Sequence, residues 1–269
     1  MNKIMNSLGQ NARKAILNKI DTRTKNKILK RYALLLDKEK NSIISANQKD
    51  IKFAKKKGLK NNLIDRLTID HKKLVSIKKS IEKIVKIKDP VDYILEKWRR
   101  PNGLTISRVS VPIGVLGIIY ESRPNVTSDV ASLCFKSGNA VILKGGSEAI
   151  NTNKILANLF RKSLKENKVD QNFIQFINSK DRKIVDYMLS KMKDYIDVII
   201  PRGGKSLVKR VQASSTVPII GHLEGLCHTY IDKDADLKMA IDIVYNAKLR
   251  NTSICAATET ILMHQKIIK

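Results

Sequence analysis

Residues 115–146 read VLGIIYESRPNVTSDVASLCFKSGNAVILKGG. Val115–Tyr120 is almost continuously apolar, as a strand buried on both faces requires. A helical run follows over Val126–Lys136. Ala140–Leu143 is a second short apolar strand, closed by the paired Gly145-Gly146. A strand, a helix and a second strand in this span form the unit from which parallel sheets are built.

The same rhythm continues downstream. The pattern predicts a helix from Ser147 to about Lys165, a weak strand at Phe173–Ile177 and a helix from Asp181 to about Lys191. It then predicts a strand at Ile196–Ile200, a helix from Gly204 to about Gln212 and short strands at Val217–Ile220 and His228–Ile231. A helix from Asp236 to about Leu249 and a strand at Thr260–Met263 complete it. The fold class is therefore α/β, a doubly wound parallel sheet with helices on both faces. Upstream, Leu104–Val111 alternates apolar and polar residues like a half-buried strand. Pro101-Asn102-Gly103 before it is a hairpin turn. Residues 1–90 read as helices: Ile77, Ile81, Ile84 and Val85 share one helical face, and Asp21-Thr22 and Thr68–Asp70 supply caps. Lys55–Lys57 followed by Gly58 ends another helix, and Asp89-Pro90 breaks the pattern.

The chain has 269 residues, 42% of them hydrophobic, which is a globular composition. Its longest apolar runs fall well short of the roughly 20 residues of a membrane span. MNKIMNSLGQNARK at the start lacks the apolar core of a signal peptide. Three cysteines make no disulfide framework and point to a reducing compartment, the cytoplasm. Lys and Arg number 52 against 25 Asp and Glu, giving a charge of +27. That charge suggests a polyanion. However, it is spread through every segment among Ile and Asn, as an AT-rich genome would produce, and aromatic residues are only 5%. Nucleic acid is therefore not the expected partner, and neither is a membrane.

Open α/β sheets bind ligands beyond the C-terminal ends of their strands, so three loops are candidate sites. Lys144, Gly145, Gly146, Ser147 and Glu148 follow one strand; the glycines allow close approach of a ligand, and the next helix offers N–H groups to an anion. Arg202, Gly203, Gly204 and Lys205 repeat this logic after Ile196–Ile200. Each loop alone also reads as an ordinary strand-to-helix turn; two in one sheet point to a dinucleotide. The third is Tyr120–Thr127, where Arg123 and the hydroxyls of Ser122 and Thr127 can meet an anionic substrate or support an oxyanion. A Pro-initiated helix explains this segment equally. Cys134 and Cys227 read as packing residues, whereas Cys255 lies in a polar loop where a thiolate can act. The four histidines show no metal-ligand spacing, so no metal is expected.

Val111–Thr127 resembles the most distinctive segment of the γ-glutamyl phosphate reductases (glutamate-5-semialdehyde dehydrogenases), in the aldehyde dehydrogenase superfamily, and Leu133–Gly146 and Ile200–Gly204 follow in that family's order. His228, Tyr230–Asp232, Asn246–Lys248, Cys255 and Glu259-Thr260 follow in the same order. Ala46-Asn47, Asp50, Ala54, Gly58 and Asp65–Leu67 fall at similar spacing near the N-terminus. The resemblance covers essentially the whole chain. It implies N-terminal helices plus a Rossmann-like, NADPH-binding domain over 1–250 with an oligomerisation hairpin at about 93–111. Residues 251–269 would begin a catalytic domain that is largely missing.

The implied reaction is NADPH-dependent reduction of L-glutamyl 5-phosphate to L-glutamate 5-semialdehyde, the second step of proline biosynthesis, through a thioester on Cys255. NADPH would lie on Lys144–Glu148 and on Arg202, Gly203 and Gly204. Ser122, Arg123 and Asn125, with the Cys255 backbone N–H, would serve the substrate and its oxyanion. A homo-oligomer and functional coupling to glutamate 5-kinase are also implied. The family usually has Pro where Thr252 stands and Asn where Ala256 stands. Its members continue for about half as much chain again, so a C-terminally truncated, inactive NADPH-binding remnant or one half of a split enzyme is the alternative.

Overall fold

The computed structural model describes residues 2–268 apart from 122, 182, 222–224, 251 and 253. They divide into two compact units, residues 1–221 and residues 222–269.

The first unit opens with five helices: α1 (Asn2–Ile16), α2 (Thr22–Lys38), α3 (Lys40–Lys56), α4 (Asn61–Leu67) and α5 (His71–Lys86). The expected caps form: Asp21 accepts from Thr24 N, and Asp70 from Lys73 N. Ile77, Ile81 and Ile84 are the buried face of α5, while Val85 is half-buried. Asp89, at the predicted break, is held by Lys25 Nζ at 3.0 Å, by Thr22 Oγ1 at 2.8 Å and by the backbone N–H of Val91.

Burial pushes the Asp89 carboxyl up, but the bonds from Val91, Lys25 and Thr22 together hold it below the ordinary carboxylate value. The bonded carboxylate therefore stabilises the fold above the unfolded value of about 4, and its contribution disappears as pH falls through the lower folded value. Asp89→Asn is expected to lower the urea midpoint at pH 7 and to lose that part of the acid dependence. Midpoints measured from pH 7 to pH 3 check this; parallel curves for the two proteins would refute it.

Next comes a hairpin, β1 (Ile94–Arg99) with β2 (Thr105–Val109), antiparallel and turning at Pro101–Gly103. Its placement matches the sequence pattern, but its burial does not. Every residue of β1 is exposed, and only Ile106 in β2 is even half-buried. Alternation signals two chemically different faces; it does not guarantee that something covers the apolar one.

The core is a sheet of four parallel strands in the order β5-β4-β3-β6. They are β3 (Val115–Tyr120), β4 (Ala140–Gly145), β5 (Ile174–Phe176) and β6 (Val198–Arg202). All positions of β3 and β4 are buried, as their apolar runs demand. Connecting them are α6 (Asn125–Lys136), α7 (Ile150–Glu166) and α8 (Lys183–Lys191); α9 (Lys205–Ser214) follows β6. The predicted strand 217–220 amounts to one bridge, Ile219 to Ile199. Pro218, the second of these four residues, has no N–H to give a ladder, and Gly221 follows directly. The helix expected from Ser147 begins as a single 3-10 turn before α7.

The second unit is a small β-α-β: β7 (His228–Ile231), α10 (Leu237–Leu249) and β8 (Thr260–Met263). The two strands pair in parallel, His228 opposite Thr260. Asp236 caps α10 by accepting from Met239 N.

Candidate functional site

The chain runs from β3 through β4 to β5 on one side, then returns to place β6 on the other side of β3. Beyond the C-terminal ends of β3 and β6 lies the switch point at which open α/β sheets open a crevice for a ligand. Tyr120 pairs with Arg202 there, and the Glu121 N–H donates to the Arg202 carbonyl at 3.1 Å. Two of the three candidate loops, 120–127 and 202–205, therefore leave the sheet at this point. The third leaves β4, the next strand over.

At the β4 loop, Lys144 is buried, with its ammonium donating to the Gly145 carbonyl at 2.8 Å. Burial lowers its pKa, against the opposing pull of Glu148 and Asp181. Gly145 is required by space: a Cβ there would overlap the Asn153 amide and sit 3.1 Å from the Tyr120 ring. A Cβ on Gly146 would meet the Glu148 carboxylate, which folds over the loop. Behind Gly145 runs a buried chain in which Tyr120 Oη meets Thr127 Oγ1 at 2.7 Å and Thr127 Oγ1 donates to Asn153 Oδ1 at 3.0 Å. Asn153 Nδ2 is buried with no hydrogen-bond partner among the described residues.

This chain revises one expectation: the Thr127 hydroxyl is not a substrate contact. It is 1% exposed and used up in supporting the loop. Arg123 is half-exposed; Ser122 lies outside the described residues. Asn125 opens α6, and its Nδ2 donates to Asp129 Oδ2 at 3.1 Å. Burial raises the pKa of Asp129.

At the β6 loop, Arg202 is exposed, and Gly203 and Gly204 lead into α9. Sequence reasoning passed over Glu121. Its Oε2 accepts from the Gly204 N–H at 3.0 Å, and it fills the space a Cβ on Gly203 would need. The chain's own carboxylate thus sits at the helix N-terminus expected to attract an external anion. Only the sheet order reveals this, because residues 121 and 204 are far apart in sequence.

In the second unit, Cys255 is exposed between α10 and β8. Its turn is fixed by Ala257 N donating to Ile254 O at 3.1 Å and Thr258 N donating to Ala247 O at 3.1 Å. The Thr258 and Thr229 hydroxyls meet at 2.9 Å. Cys227, half-buried, donates from Sγ to the Cys255 carbonyl at 3.3 Å. Cys134 is buried in α6, and burial pushes its thiol up to about 12. No cluster of three or more His, Cys, Asp or Glu side chains suited to a metal occurs among the described residues. No helix among them is long and apolar enough to cross a membrane.

Residues 4–269 match the family model of the aldehyde dehydrogenases. The chain belongs to the aldehyde dehydrogenase family. Within it, the chain is 46% identical, over 99% of its length, to the γ-glutamyl phosphate reductase of Clostridium tetani. It is 47% identical over 98% of its length to that of Bartonella quintana. It spans 63% and 65% of those two relatives. The crystal structure of the γ-glutamyl phosphate reductase of Thermotoga maritima superposes on 97% of this aldehyde dehydrogenase chain. The TM-score is 0.89, with 40% identity and 63% of that structure covered.

Proposed function

We propose that the chain carries the NADPH site and the nucleophile of a γ-glutamyl phosphate reductase, acting in the cytoplasm on L-glutamyl 5-phosphate in proline biosynthesis. The observation behind this reading is a near-complete match of the chain, at 46% identity, to a reductase of that name. The residues fit a dinucleotide. Gly145-Gly146 and Gly203-Gly204 bring backbone without side chains to the ends of β4 and β6, with Lys144 and Arg202 supplying positive charge beside them. Lys144, Gly145, Gly146, Ser147 and Glu148 hold one part of the cofactor, and Arg202, Gly203 and Gly204 the other. When bound, NADPH supplies the hydride that takes an acyl carbonyl to the aldehyde.

Cys255 performs the acyl transfer. Its thiolate attacks the carbonyl of the acyl phosphate, and phosphate leaves with the electron pair of the C–O bond. The acyl group then remains on Cys255 as a thioester, which is electrophilic enough for reduction. The negative charge that builds on the carbonyl oxygen is met by the Cys255 backbone N–H, with Ser122, Arg123 and Asn125 serving the substrate. Phosphate is a good leaving group, so no general base for hydrolysis is needed. The substrate is an acyl phosphate, which requires a kinase to make it, hence the coupling to glutamate 5-kinase. The exposed edge of the β1–β2 hairpin, bearing Leu95 and Trp98, joins a second copy of the chain.

Two measurements test the reading. Calorimetric titration with NADPH is expected to show one site, lost in Gly145→Val. Iodoacetamide is expected to label Cys255 ahead of Cys134 and Cys227. A folded chain that binds no NADPH, or labelling that spares Cys255, would refute it.

Glu121 adds a sharper prediction. A cofactor phosphate approaching α9 meets the Glu121 carboxylate, a like charge. Glu121→Gln keeps an acceptor for Gly204 N–H and removes that charge. NADPH is expected to bind more tightly by on the order of 1 kcal/mol, about a fivefold fall in Kd. Unchanged or weaker binding would contradict this.

A further inference from the structure

Cys227 has no role in the reaction above, yet it lies against the nucleophile. Its Sγ is 3.3 Å from the carbonyl oxygen of Cys255. Its own backbone is pinned, because the Cys227 carbonyl accepts from Glu259 N at 2.8 Å and β7 starts at the next residue. Gly225 packs on the same side, where a Cβ would lie 3.1 Å from the Cys255 carbonyl. A fixed thiol therefore touches the backbone of the residue that carries the exposed one.

An exposed thiol oxidised to the sulfenic acid has two fates. It condenses with a thiol in reach, reversibly, or it is oxidised onward to the sulfinic acid, irreversibly. A disulfide needs its Cα atoms about 4.4–6.8 Å apart. With ordinary bond lengths and angles the 3.3 Å contact allows Cα atoms up to about 8.5 Å apart, so closing the S–S bond takes a backbone shift of the exposed turn as well as rotation about χ1. Cys134 cannot compete, since it is 6% exposed inside α6 of the first unit.

We propose that Cys227 is the resolving thiol of Cys255, so that peroxide converts the pair to a reversible Cys227–Cys255 disulfide. Hydrogen peroxide first transfers one oxygen to the Cys255 thiolate, giving the sulfenic acid and hydroxide. The Cys227 sulfur then attacks the Cys255 sulfur. The S–O bond breaks, the departing hydroxide takes the Cys227 thiol proton as water, and the S–S bond forms. The two sulfurs lose two electrons in total and peroxide gains them. A small dithiol reverses the bond by exchange. The nucleophile is thereby capped and spared.

This inference rests on Cys255 being the accessible nucleophile, and the test separates the two ideas. The reduced chain is first alkylated with iodoacetamide and mapped. A second sample is treated with hydrogen peroxide and mapped by mass spectrometry without reduction. The expected product joins the peptides of Cys227 and Cys255 with the loss of two hydrogens, and dithiothreitol restores both thiols. Cys227→Ser is expected to give a dimedone-trappable sulfenic acid at Cys255 and then the sulfinic acid, with no cross-link. Labelling of Cys255 by iodoacetamide, together with sulfinic acid at Cys255 and a Cys227 thiol that still alkylates in the wild-type chain, would overturn the disulfide alone. A Cys255 inert to both reagents would overturn the disulfide and the nucleophile together.

Discussion

Gly114→Ala is expected to destabilise the first unit by more than about 3 kcal/mol, the cost of backbone strain combined with buried groups left unpaired. Gly114 has φ +129, a conformation that L side chains rarely adopt. A Cβ there would overlap the Asp197 carboxylate, with Asp197 Cγ at 2.9 Å. That carboxylate is already fully engaged. It accepts from Arg13 Nη1 at 2.7 Å and Nη2 at 2.8 Å, which ties α1 to the sheet, and from Val115 N at 2.7 Å. Val115 is the first residue of β3 and completely buried. Moving the carboxylate breaks the bidentate pair and orphans a buried N–H at the start of the central strand, the strand that carries the 120–127 loop. Thermal unfolding should show a midpoint lower by about 6 °C or more, given the usual scaling for chains of this size. A shift under about 2 °C would mean that the turn relaxes freely. Asp197→Ala should cost a similar amount, and the double variant much less than the two together, because both act on one network.

Asp50→Ala is expected to cost about 2–4 kcal/mol, the range for a buried hydrogen-bond network that loses its acceptor. Asp50 projects from α3 and is 1% exposed. It accepts four bonds from the start of α7: Asn151 N at 3.2 Å, Asn151 Nδ2 at 2.8 Å, Thr152 N at 2.8 Å and Thr152 Oγ1 at 2.7 Å. It is a cap supplied from another helix, and its negative charge also opposes the positive end of α7. Asn47, one turn earlier, donates to Thr152 Oγ1 at 3.2 Å and to Leu67 O at 2.9 Å, and accepts from Ile69 N at 2.7 Å. The cap sits directly behind the 144–149 loop, so its loss should loosen the cofactor cradle as well. Hydrogen exchange at Asn151 and Thr152 should accelerate along with the fall in melting temperature. Full protection of those amides in the variant would contradict the assignment.

These two sites show what the chain discloses before it folds. The parallel sheet was legible because β3 and the first four residues of β4 are almost continuously apolar, the usual composition of a strand buried on both faces. The glycine loops were legible because they follow those strands directly. Asn47 and Asp50 stood out only by resemblance: all the partners of Asp50, and Thr152 for Asn47, lie about a hundred residues away, and no local pattern announces a cap delivered from a distant helix. Glu121 was invisible for the same reason. Its partner Gly204 becomes a neighbour only once β6 is set beside β3. The Thr127 hydroxyl was misread because a hydroxyl near a strand end looks alike in sequence whether it faces a ligand or a buried tyrosine. The hairpin was placed correctly and its burial was not, since alternation records the chemistry of two faces and not what covers them. Cys255 was legible as a thiol in a polar loop, whereas the nearness of Cys227 needed the β7–β8 pairing.

The most direct test of the account is the covalent state of Cys255 after exposure to the acyl phosphate. The chain is mixed with L-glutamyl 5-phosphate generated in place by a glutamate kinase and ATP, with no NADPH, then quenched in acid and mapped by mass spectrometry. The account predicts a glutamyl group on the Cys255 peptide, removed by hydroxylamine as a thioester is, and absent from Cys255→Ser. A folded chain whose Cys255 alkylates normally yet never carries the acyl group, or carries it on Cys134 or Cys227, would contradict it.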